Sequence, residues 1–100
     1  LRLEAEVGYR VDSPLAPQPI FDLIATRGAI GAAELYEVFN MGCGFCVVVP
    51  QVDAPAAVEL LGNNHPGAAV IGEVTGSAGV VELPGPGLTG RRGEGFSANE

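Results

Sequence analysis

Cys43-Gly44-Phe45-Cys46 places two thiols at the spacing used by redox and metal sites. A structural zinc ion takes four ligands, and this chain offers two cysteines and one histidine, His65. A thioredoxin-type pair sits at a helix N-terminus, whereas Cys46 here runs into Val47-Val48-Val49. In a strand, residues three apart face opposite sides. The pair therefore reads as two buried thiols acting as small hydrophobes, with no disulfide between them and no metal site.

Gly42-x-Gly44 resembles the start of a dinucleotide fingerprint, but position 47 is Val and the loop leads into an apolar run rather than a helix. Two readings of these glycines stand side by side. One is a plain tight turn, and the other a turn whose backbone approaches a ligand closely with N–H groups free to donate. Asn40 is either a left-handed cap beyond a helix end or an amide that hydrogen-bonds a ligand. His65, between Asn64 and Pro66, reads as an exposed loop residue. Glu73 is a candidate pocket carboxylate, set against exposure at a sheet edge or an ion pair with an arginine. Arg91 and Arg92 are candidates to hold an anion, set against a solvated tail. The chain contains no Gly-x-x-x-x-Gly-Lys loop, no histidine cluster and no Ser/His/Asp set that spacing defends.

The elements that must position these residues are short. Glu4 to Val11 alternates as a strand, and Asp12 to Pro19 holds three prolines in an extended connection. Ile20, Leu23 and Ile24 fall at helical spacing, with Gly28 placed to end the helix. Ala32, Leu35, Tyr36 and Phe39 repeat that pattern. Cys43 to Val49 is apolar and β-branched, which predicts a strand buried on both faces. Asp53 is a candidate N-cap for a helix over 53–62 with Pro55 in its first turn. Ala68 to Val74 and Gly79 to Leu83 read as strands joined by a turn at 75–78, and 84–100 as a loop-like tail. The segments 43–49, 53–62 and 68–74 would form a βαβ unit. The expected class is α+β: helices packed on a mixed β-sheet, partly ferredoxin-like, in one domain over 1–100.

Five arginines, no lysine and twelve acidic residues give a net charge of −7. That balance argues against nucleic acid or an anionic membrane as partner, and it leaves few cations for a polyphosphate. No apolar run approaches the roughly 20 residues of a membrane helix. The chain opens at Leu1 inside an expected strand, so the expectation is a domain lacking its N-terminal part. A sheet without its first strand has an open edge, which predicts self-association.

Phe39-Asn40-Met41-Gly42-x-Gly44 carries a family resemblance. With Gly8-Tyr9-Arg10-Val11-Asp12, Pro19-Ile20-Phe21 and Glu34-Leu35-Tyr36 upstream and Ala69-Val70-Ile71-Gly72-Glu73-Val74 downstream, the chain resembles the C-terminal domain of the aminoimidazole ribonucleotide synthetases, also called phosphoribosylformylglycinamidine cyclo-ligases. The resemblance implies part of a cytoplasmic, homodimeric enzyme of purine biosynthesis that uses ATP and Mg2+ to close the imidazole ring of formylglycinamidine ribonucleotide. It implies that an N-terminal domain binds most of the ATP and the metal, and that the C-terminal domain closes over the substrate. Phe39, Asn40, Met41, Gly42 and Gly44 match the motif and are the implied substrate-binding residues, with no catalytic residue assigned. Positions 43 and 46 are commonly aliphatic in that family. Its early His-x-Thr-Gly-Gly-Gly segment is absent here, so the chain alone is expected to be inactive. The competing expectations are a non-catalytic binding domain of the same fold and another ATP-using enzyme of the superfamily.

Overall fold

The computed structural model describes residues 4–100. Five short strands form one mixed sheet: β1 (Gly8–Arg10), β2 (Glu73–Thr75), β3 (Val80–Leu83), β4 (Leu88–Arg91) and β5 (Gly95–Ala98). Their order across the sheet is β2-β1-β3-β4-β5. β1 is antiparallel to β2 and parallel to β3, and the remaining pairs are antiparallel. Three helices complete the α+β fold: α1 (Pro19–Gly28), α2 (Ala32–Val38) and α3 (Ala54–Gly62). α2 packs against β5 and α1 against α2, while α3 packs on the 3₁₀ turn Gln51–Asp53 that precedes it.

Local chemistry sets the helix ends. Pro19 opens α1 with Asp22 in its first turn and Arg27 in its last, matching the helix dipole. The left-handed residue that closes α1 is Ala29 (φ 51°) rather than Gly28, and the Ile30 N–H reaches back to the Ala25 carbonyl at 3.0 Å. Asp53 takes the expected N-cap position of α3, but without the bond that position usually makes. It lies in the 3₁₀ turn, and its side chain accepts no hydrogen bond from the first turn of α3.

Two expectations are overturned. Residues 43–49 form no strand, and Phe45, Val47, Val48 and Val49 are exposed. β-branched residues favour extended backbone, but a strand also needs a hydrogen-bonded neighbour, and none of the five strands pairs with 43–49. The expected βαβ unit is therefore not formed. Residues 84–100, expected as loop, instead supply β4 and β5. Their glycines act as turn residues: Gly87, Gly93 and Gly95 all take positive φ, and the Gly87 N–H closes a turn onto the Pro84 carbonyl. Leu88 pairs with Leu83 across that turn. With Leu35, these two leucines are the buried hydrophobic residues of the described chain. The radius of gyration, 14.3 Å, exceeds the roughly 13 Å typical of 100 residues, as so thin a core requires.

Arg10 ties three strands together. It stands opposite Glu73 on β2 and Glu82 on β3, with Nη1 donating to Glu73 Oε1 at 2.9 Å and Nε to Glu82 Oε2 at 3.1 Å. Glu73 is thus an arginine partner on the sheet. These pairs are partly exposed, so Arg10→Ala should cost no more than about 1 kcal/mol. In a thermal melt that is a fall of at most about 8 °C. The difference should shrink in high salt, and a loss independent of salt would assign the effect to the arginine stem instead.

Candidate functional site

The loop after α2 is built by its own hydrogen bonds. The Cys43 N–H donates to the Asn40 carbonyl at 3.1 Å, closing a four-residue turn. Both central residues have positive φ, Met41 at 52° and Gly42 at 97°, the pattern of a type I′ turn. A left-handed Met costs about 1–2 kcal/mol relative to ordinary backbone. The Asn40 side chain offsets part of that, because its Oδ1 accepts from the Gly42 N–H at 2.9 Å. The left-handed position is therefore Met41, and Asn40 braces the turn from outside it. Phe39 anchors the loop from below, with its ring 5.9 Å from that of Phe21 on α1 and tilted by 57°.

Beside this turn lies a cleft of about 240 Å³. Phe39, Asn40 and Met41 line it, and so do Val11 just beyond β1, Tyr36 of α2 and Ile71 ahead of β2. Four separated stretches of sequence thus converge on one wall: Gly8 to Asp12, Glu34 to Tyr36, the Phe39 loop, and Ala69 to Val74. The lining is mainly apolar. With Oδ1 committed to the turn, the Asn40 Nδ2 amino group is the side chain's donor, and no acceptor among the described residues engages it.

The other motif glycines fall elsewhere. Gly42 backs onto the Pro-rich connection, where a Cβ would lie 3.0 Å from the Ala16 carbonyl oxygen and 3.2 Å from the Pro17 Cα. Gly44 is open, and its nearest neighbour would be Asn40 Nδ2 at 4.0 Å. The cysteines depart from the sequence expectation. Without a strand at 43–49 they do not point apart, and their sulfurs lie 3.4 Å from each other at the cleft edge. Cys43 is half-buried and Cys46 exposed. Burial of its sulfur, followed by the hydrogen bond and charge interaction with Cys43, raises the Cys46 thiol above its usual range.

A second cleft, about 340 Å³, lies between α2 and the β4–β5 hairpin, lined by Tyr36, Glu37, Arg91 and Phe96 among others. Glu37 closes one side by accepting the Phe96 N–H at 2.5 Å. The sequence reading missed this cleft because it assigned no structure to residues 84–100. Arg92 donates to the Ala5 carbonyl at 3.4 Å, and His65 is exposed. No group of three or more His, Cys, Asp or Glu residues among those described is arranged to hold a metal ion. No helix among them is long and apolar enough to cross a membrane.

Comparison with known proteins agrees with this architecture. Residues 2–83 match the family described as AIR synthase related protein, C-terminal domain. The chain is 48% identical over 83 residues to the phosphoribosylformylglycinamidine cyclo-ligase of Methanothermobacter thermautotrophicus, covering 82% of this chain and 23% of that protein. It is 36% identical over 80 residues to the cyclo-ligase of Methanopyrus kandleri, covering 80% of this chain and 23% of that protein. It is 39% identical over 84 residues to that of Methanococcus maripaludis, covering 84% and 23%. The chain thus spans about a quarter of the length of these relatives. No solved structure matches it. On the extent of the family match and the identity to these relatives, the chain belongs to the AIR synthase related protein C-terminal domain family.

Proposed function

We propose that this chain is the substrate-side wall of an ATP-dependent cyclo-ligase that converts formylglycinamidine ribonucleotide to aminoimidazole ribonucleotide in purine biosynthesis. The observation that carries the reading is the convergence of four of the five family-like stretches on the cleft beside Asn40, the fifth, Pro19-Ile20-Phe21, touching Phe39 from outside it. Relatives that share 36–48% identity with the chain bear the cyclo-ligase name. In this reading Phe39 and Met41 shape the wall, Gly42 lets the turn seat against the Ala16–Pro17 backbone so that Asn40 is held at the cleft, Gly44 keeps the loop beside it open, and Asn40 Nδ2 donates to a substrate oxygen.

The donor set here does not fit Mg2+ and a triphosphate. No cluster of metal-binding side chains is present among the described residues, there is no lysine, and Arg10 is committed to Glu73 and Glu82. Activation of the formamide oxygen by ATP is therefore assigned to an N-terminal domain of a longer, homodimeric, cytoplasmic enzyme, and the 100-residue chain alone is inactive.

Asn40→Asp in the longer enzyme tests the reading. Aspartate keeps the oxygen that holds the Gly42 N–H but removes the amide donor. We expect kcat/KM for ring closure to fall at least about tenfold, or about 1.4 kcal/mol of transition-state stabilisation, with the melting temperature unchanged. Activity within about twofold of the parent would refute the assignment of Asn40.

A further inference from the structure

We propose that Cys43 and Cys46 form a thiol–disulfide modification site that reacts with low-molecular-weight disulfides. Three observations carry it, whatever substrate the neighbouring cleft takes. The two sulfurs are 3.4 Å apart as free thiols, so closing to the roughly 2.05 Å of a disulfide needs only small side-chain rotations. The intervening residues, Gly44 and Phe45, are exposed and belong to no helix or strand that ring closure would have to break. Cys46 is exposed and the pair opens onto the cleft edge, which gives an oxidant access.

The chemistry balances in two exchanges. One of the two cysteines loses its proton to solvent and its thiolate attacks one sulfur of the oxidant RSSR, forming a mixed disulfide and releasing RS⁻. The other cysteine then gives its proton to solvent and attacks the bonded Sγ, expelling the second RS⁻. Two electrons pass from the cysteine sulfurs to RSSR, and both released thiolates take up protons at neutral pH. Cys46 is the more exposed sulfur but holds its proton more firmly than an ordinary thiol, and the ring product is the same whichever cysteine opens the exchange. The product ties residues 43–46 into a ring directly after the Asn40–Cys43 turn.

The test is equilibration of the intact polypeptide in mixtures of reduced and oxidised glutathione. Differential alkylation and mass spectrometry of the peptide holding both cysteines then measure the disulfide. We expect its equilibrium constant to be at least about tenfold greater in the native protein than in concentrated urea, a difference of about 30 mV. Cys46→Ser and Cys43→Ser should each stop at a glutathione adduct on the remaining cysteine. A native constant equal to or below that of the unfolded chain would overturn the site, as would independent glutathione adducts on both cysteines without ring closure.

Discussion

Gly72→Ala is expected to destroy cooperative folding of the sheet or to lower its melting temperature by at least about 12 °C. Gly72 lies immediately before β2, where the chain crosses the end of β1. An added Cβ would fall on the Arg10 carbonyl oxygen, 2.8 Å from the Val11 Cα and 2.9 Å from the Arg10 carbonyl carbon. All three obstacles are backbone atoms, so no rotamer change relieves the clash. β1 and β2 must separate, which breaks their pairing and the Ser13 N–H to Ile71 carbonyl bond at 2.9 Å. Overpacking of this kind costs about 3 kcal/mol or more when the surroundings cannot yield. A domain of this size holds only about 5–15 kcal/mol in total, and this one has a thin core. Gly76→Ala is the control. Nothing lies within 4 Å of a Cβ built there, so its melt should match the parent. Parent-like melting of Gly72→Ala would show that β1 and β2 do not approach as described.

Gly42→Val should remove about 2–4 kcal/mol of stability and re-aim the loop. Two costs add. A β-branched side chain at φ 97° is strained wherever it points. Its Cβ would also press on the Ala16 carbonyl oxygen at 3.0 Å, Gln18 Oε1 at 3.1 Å and the Pro17 Cα at 3.2 Å. Gln18 can swing away, but the Ala16–Pro17 backbone cannot do so cheaply. If the turn opens instead, Asn40 loses the Gly42 N–H and its amide swings off the cleft. In the proposed enzyme this should cost an order of magnitude or more in ring closure. Gly44→Val separates the effects, since Gly44 is open and carries no positive φ. That change should stay within about 0.5 kcal/mol of the parent. A melting temperature for Gly42→Val equal to that of Gly44→Val would sink the turn geometry.

The helices were legible because their signals are local. Ile20, Leu23 and Ile24 repeat at helical spacing, and Pro19 marks the start. Strands carry half their determinants in a partner elsewhere in the chain, which is where the sequence reading fell short. Val47-Val48-Val49 has the composition of a buried strand, yet no neighbouring strand pairs with it. Leu88-Thr89-Gly90-Arg91 looked like part of a glycine-rich tail, yet Leu88 is 2% exposed. The error over the cysteines followed from the first of these, because opposite faces exist only in a paired strand. For the candidate site, the motif pointed to Phe39, Asn40 and Met41 as residues. That Val11, Tyr36 and Ile71 share their wall is a property of the fold and has no local signal.

The position of β1 has a consequence for biosynthesis. Tyr9 and Arg10 are made well before their parallel partners Val81 and Glu82, which lie 72 residues further along. During vectorial synthesis on the ribosome, β1 must wait for those intervening residues to emerge before its place between β2 and β3 exists. Such high contact order slows folding and prolongs the life of unpaired intermediates. In that interval Phe45 and Val47 to Val49, still exposed in the finished fold, are a natural target for chaperones on the nascent chain.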